Sequence, residues 1–128
     1  PTYHVFDMYK VHQDATLLPI HLDEGEYTFQ GMSTPAVSGS ASMDENGRIH
    51  ITLANMDPNN DRTIATDIRG ADVSRVSGRI LTAPAINSHN TFESPNTVVP
   101  TSFDGASLSG SMLTVELPAK SVVVLELR

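Results

Sequence analysis

Cysteine is absent from the 128-residue chain. That excludes disulfide frameworks, thiolate nucleophiles and Cys-ligated zinc or iron–sulfur centres, and it leaves the cellular compartment open. Tryptophan is absent too, and aromatic residues make up only 5%. Basic residues are scarce: 8 Lys and Arg stand against 15 Asp and Glu, for a net charge of −7. A nucleic-acid partner is not expected, because binding phosphates needs a basic surface that releases their counterions. No apolar run approaches the ~18 residues of a membrane-spanning helix, so no membrane is expected as a partner either. No Asn-x-Ser/Thr sequon occurs. The start at Pro1-Thr2-Tyr3 has no Met and no basic stretch before an apolar one. No secretory leader is read there, and the chain is expected to derive from a longer one.

What remains is the material of one acidic, strand-forming domain. The pattern predicts a single helix over Thr2–Gln13. At 3.6 residues per turn Val5, Met8, Tyr9 and His12 share one face, with Phe6 at its edge. Asp7 and Lys10 lie on the other side at pairing distance, and Thr2 is placed to cap the first turn. The apolar stripe is wide for so short a helix and must be buried against something. From Ala15 to Leu22 the chain is apolar, but Pro19 excludes an uninterrupted helix, so an extended connector is expected.

Strand signals fill the rest. Tyr27 and Phe29 alternate with Thr28 and Gln30. Val37–Met43 is followed by Asp44-Glu45-Asn46-Gly47, whose Asn-Gly step marks a hairpin. Ile49, Ile51 and Leu53 face one way and His50, Thr52 and Ala54 the other. Asp57-Pro58-Asn59-Asn60-Asp61 reads as a turn. Ile64, Thr66 and Ile68 alternate, as do Val76, Gly78 and Ile80 against Arg75, Ser77 and Arg79. Residues 85–102 have no periodicity, and a loop of that length is functional or tied down. Leu113, Val115 and Leu117 alternate, and Ser121–Leu127 is apolar on both faces, as in a strand covered on both sides. About seven to nine short strands at roughly ten-residue intervals predict a mainly β, antiparallel β-sandwich preceded by one N-terminal helix.

No catalytic, cofactor-binding or metal-ligating set is read. His4, His12, His21, His50 and His89 lack metal-ligand spacing. The acids Asp23, Glu24, Glu26, Asp44 and Glu45 sit in turns beside Gly, where carboxylates are solvated instead of poised as a pair across a cleft. The 57–61 cluster lacks the EF-hand spacing for Ca²⁺. Alternating Ser38, Ser40 and Ser42 read as a solvated strand face. Sugar binding would need exposed rings, and Tyr27 and Phe29, at i and i+2, are the one pair on a shared strand face. They are the candidate weak sugar contacts. Phe92 and Phe103, beside the long loop, are expected to be apolar plugs.

Three ordered segments carry a family resemblance. Residues 1–19, Pro-Thr-Tyr-His-Val-Phe-Asp-Met-Tyr-Lys-Val-His-Gln-Asp-Ala-Thr-Leu-Leu-Pro, resemble the segment that closes the catalytic barrel in family 51 α-L-arabinofuranosidases. Ser77-Gly78-Arg79-Ile80-Leu81-Thr82 followed by His89-Asn90-Thr91-Phe92-Glu93-Ser94-Pro95, and then Leu117–Leu125, resemble that family's C-terminal pattern. The resemblance implies a jelly-roll-like C-terminal sandwich over residues 23–128, with residues 1–22 as the helix and connector from the end of a (β/α)₈ barrel. It implies a parent that removes terminal α-L-arabinofuranosyl groups from arabinan or arabinoxylan by a retaining mechanism, with both catalytic glutamates in the barrel and none here. It also implies that an N-terminal segment of the parent joins the sandwich. Its absence would leave a sheet edge free to pair with another copy, and an apolar patch exposed near the helix or the final strand. Two alternatives stay open, a carbohydrate-binding module acting alone and an autonomous hydrolase.

Overall fold

A computed structural model describes all 128 residues. Helix α1 spans Thr2–Tyr9 and tightens into a 3₁₀ turn at Lys10–His12. Eleven strands follow: β1 Thr16–Leu18, β2 Glu26–Phe29, β3 Met32–Pro35, β4 Val37–Met43, β5 Ile49–Asn55, β6 Arg62–Asp67, β7 Val76–Leu81, β8 Thr101–Phe103, β9 Ala106–Ser109, β10 Met112–Leu117 and β11 Val122–Leu127. A six-stranded sheet, β1-β4-β5-β11-β7-β8, faces a three-stranded sheet, β6-β10-β9, and β2-β3 forms a separate ribbon. All strand pairs are antiparallel.

The register follows from the period-two pattern. Ala41, Ile51, Leu125, Gly78 and Phe103 form one row across the large sheet. With Ile49, Leu53, Val123, Leu127 and Ile80 they bury one face against Ile64, Leu113, Val115 and Leu117 of the small sheet. Gly78 is required in that row. A Cβ there would stand 2.8 Å from Leu125 Cδ2 and 3.2 Å from the Phe103 ring. Phe103 is thus the expected plug, whereas Phe92 is fully exposed.

More strands form than the sequence pattern predicts. Thr16–Leu18, expected as connector, adds to β4 as an edge strand. β3 escapes notice because its whole length is exposed, which erases the alternation. It pairs with β2 through Gln30-Gly31, both at positive φ (50° and 81°). That is type I′ geometry, reached with Gln where Asn is usual. β8 and β9 are only three and four residues long. The Asn46-Gly47 hairpin forms, but only Gly47 takes positive φ (77°). The Asp44 carboxylate accepts the amides of Asn46 and Arg48 at 2.9 and 3.0 Å, and this Asx geometry replaces the two-residue turn.

The helix also differs from expectation. Thr2 makes no cap bond, and Pro1 occupies the N-cap position. The stripe is not left for another domain as a whole. Met8, 2% exposed, is seated on the outer face of the large sheet against Leu81, Val98 and Val124, with Val5, Tyr9 and Val11 around it. Both faces of β11 are therefore covered within this chain. Tyr3 and Phe6 stay outside, 75% and 74% exposed.

Candidate functional site

The three-stranded sheet covers only part of the six-stranded one. Beneath β4 and β5, at the free edge of β6, a cavity of about 590 Å³ remains. Its walls are Ala41, Ile49, Ile51 and Leu53 above, Ile64 and Ile68 beside β6, and the Leu18–Leu22 segment at its mouth. Leu22 is fixed there by contact with Gly39, where an added Cβ would lie 2.8 Å from its Cδ1. The lining is apolar with a polar rim of His21, Asp67 and Arg69. It can receive apolar side chains from an added strand, and β6 offers an unpaired backbone edge alongside.

The candidate sugar-contact residues lie elsewhere, on the ribbon. Tyr27 is half-buried and Phe29 is 56% exposed. Their partners across the ribbon are Thr34 and Met32, and Met32 is 71% exposed. The tip of this arm is thus apolar on its Phe29–Met32 pair.

The turn acids are more engaged than solvated turns would be. Asp44 also meets His50 Nε2 at 3.3 Å. Its backbone and side-chain donors, the Arg48 amide first, hold its carboxyl below the ordinary value. Glu26 accepts from Ser33 at 2.8 Å. Asp57 is 3% exposed and accepts from the amides of Asn59 and Asn60, the Asn60 side chain and Arg62. These donors, the Asn60 side chain foremost, lower its pKa. Around it, Asn55 donates to the carbonyls of Asn60, Leu117 and Pro118, and Asp61 accepts the Ala119 amide. The 57–61 segment is a turn, as expected, bonded into the β10–β11 hairpin.

The histidines are not all isolated. His4 is half-buried, and His21 and His89 are exposed. His12 and His50 come together on the outer face of the large sheet. His12 Nδ1 lies 2.6 Å from Ser42 Oγ, and its Nε2 lies 3.1 Å from Thr52 Oγ1. Ser42, expected on a solvated face, is 3% exposed, and Thr52 is fully buried. The serine alternation was misleading because the 3₁₀ turn lands on that face. The available signal was the polar outward side of β5, His50 and Thr52, opposite a histidine at the end of the helix stripe. No three His, Asp or Glu residues stand close enough to hold a metal ion.

The loop between β7 and β8 is tied down at one point. The Asn90 side chain donates to the Val98 carbonyl at 3.0 Å and accepts the Val98 amide at 2.7 Å. This clamp sets Val98, 4% exposed, beside Met8. Ile86 and Phe92 of the same loop stand in solvent.

A family model described as the α-L-arabinofuranosidase C-terminal domain matches residues 1–121. The chain is 43% identical over 129 aligned positions to an intracellular exo-α-L-arabinofuranosidase of Bacteroides ovatus, covering 100% of this chain and 25% of that protein. It is similar to the crystal structure of the GH51 arabinofuranosidase from Xanthomonas axonopodis pv. citri, with 43% identity and a TM-score of 0.97, over 100% of this chain and 26% of that one. An α-L-arabinofuranosidase from Thermotoga maritima shares the fold at 22% identity, with a TM-score of 0.83 over 98% of this chain and 28% of that one. The chain therefore spans about a quarter of the length of these relatives.

Proposed function

The chain belongs to the family of α-L-arabinofuranosidase C-terminal domains, and from that premise we propose that it is a non-catalytic sandwich bracing the catalytic barrel of a longer polypeptide. The observation that carries this reading is the full-length match to about a quarter of each relative. The parent would hydrolyse terminal α-L-arabinofuranosides, with both catalytic carboxylates in the barrel. Residues 1–22 would form the joint and residues 23–128 the brace.

Three surfaces support a bracing role. Tyr3 and Phe6 present apolar rings on the side of α1 that the sandwich leaves free. The cavity beside β6 fits apolar side chains from an extended segment of the parent, or from a second copy of the chain. The loop between β7 and β8, with Ile86 and Phe92 exposed, faces outward for contact with the barrel or a neighbouring subunit. The test is turnover of an aryl α-L-arabinofuranoside. The chain alone is expected to give none and the longer polypeptide to be active. Turnover by the chain alone would mean an autonomous hydrolase.

A second reading, carbohydrate binding by this domain itself, is favoured by the exposed Phe29 ring next to half-buried Tyr27. Arabinan and arabinoxylan titrations decide it. Binding that is lost on Tyr27→Ala or Phe29→Ala, with less than about 0.5 kcal/mol change in stability for the exposed Phe29→Ala, would replace the bracing role with a binding one.

A further inference from the structure

The outer face of the large sheet holds a polar cluster that the bracing role does not use. His12 ends the helical segment and inserts between Ser42 of β4 and Thr52 of β5, with one ring nitrogen on each hydroxyl. The Thr52 hydroxyl donates to the Ser40 carbonyl at 3.4 Å. Its oxygen therefore accepts from His12 Nε2–H, and Nδ1, unprotonated, accepts from the Ser42 hydroxyl. Every proton in this arrangement has an acceptor, and the imidazole is neutral.

Adding a proton to His12 breaks that accounting. Nδ1–H would have to donate to Ser42 Oγ. The hydroxyl hydrogen of Ser42, whose residue is 3% exposed, would then have no acceptor. A cation would also stand beside His50, itself 6% exposed with its Nδ1 already unpartnered. We propose that His12 is an acid-released latch, holding the helical segment on the sandwich when neutral and letting it lift when protonated.

The surroundings favour this direction. Burial first, and then His50, hold the His12 imidazole below 6.5. The Tyr9 ring meets it edge-on at 6.0 Å. No carboxylate contacts His12 to stabilise a cation. Asp44, from the β4–β5 turn, is directed to His50. Glu126, opposite His50 on β11, is engaged by Arg48 and Arg128. Lys10 is turned to Asp7 at 2.6 Å, and Asp7 is 4.0 Å from Arg79. A histidine whose pKa is lowered in the docked state contributes its full stabilisation above 6.5 and loses it as pH falls below that value. Met8 is on the same segment, so its seat against Leu81, Val98 and Val124 opens with the latch. The sandwich between the two sheets has no part in the cluster and stays closed.

Nuclear magnetic resonance of the chain, followed from about pH 8 to pH 5, tests the proposal. The His12 ring is expected to titrate below 6.5. The Met8 methyl should leave its socket in the same step, while Leu113–Leu117 amides keep their protection. Helix opening should increase up to about tenfold for each unit by which the free pKa exceeds the docked one. In His12→Gln, whose amide supplies both a donor and an acceptor, Met8 should stay seated across the range. A Met8 signal that ignores the His12 titration in the unaltered chain overturns the latch. So does a step that persists in His12→Gln, or a helix and core that lose protection together.

Discussion

The two faces of β11 are held in different ways. Val123, Leu125 and Leu127 point between the sheets into a continuous apolar core, each fully buried. Val124 points outward into a small cluster with Met8, Leu81 and Val98. That cluster is fastened by polar pins: His12 on Ser42 and Thr52 on one side, and Asn90 on the Val98 backbone on the other. The inner face rests on area removed from water, which is insensitive to pH and to any single bond. The outer face rests on a few plugs whose positions depend on particular hydrogen bonds. The helix and the long loop should therefore open locally while the sandwich stays folded.

Truncation on each face makes the contrast measurable. Leu125→Ala removes a fully buried side chain from the central strand and should cost about 2–5 kcal/mol of global stability, read as a lower denaturant midpoint at constant slope. Met8→Ala empties the outer socket. It should cost about 2–3 kcal/mol of helix docking, seen as lost amide protection over residues 2–12, with a smaller change in the global midpoint. Equal global losses from both would collapse the distinction. Acid tests a third set of contacts, those made by carboxylates in turns and at strand ends, Asp57 beside the β10–β11 hairpin among them. Asp57, Asp44 and Asp67 all titrate below 3.8 in the folded chain. Depressed carboxyl values stabilise the fold above 3.8, and that contribution is lost as pH falls through the folded values. Asp57→Asn should flatten the acid limb of a pH–stability curve, and an unchanged limb would remove Asp57 from the account.

The apolar alternation of β5, β6, β7, β10 and β11 was legible because one face of each strand meets the core. Ile49-Ile51-Leu53 and Leu113-Val115-Leu117 show it without interruption. The ribbon was not legible, since β3 buries nothing and so leaves no period. Ser42 and His12 were not legible as partners either. They are 30 positions apart in sequence, and their meeting depends on where the helix is laid across the sheet, which periodicity does not encode. The resemblance in residues 1–19, 77–82, 89–95 and 117–125 marked the family, which the match over residues 1–121 establishes. It carried no information about which side of α1 faces its own sandwich.

The β2–β3 arm has a practical corollary. It shares no ladder with either main sheet, and its Gln30-Gly31 tip is exposed. Extra residues spliced between those two positions would lengthen only the arm. A fluorophore or epitope could be mounted there to report the orientation of the domain within a larger assembly, leaving the packing between the sheets untouched.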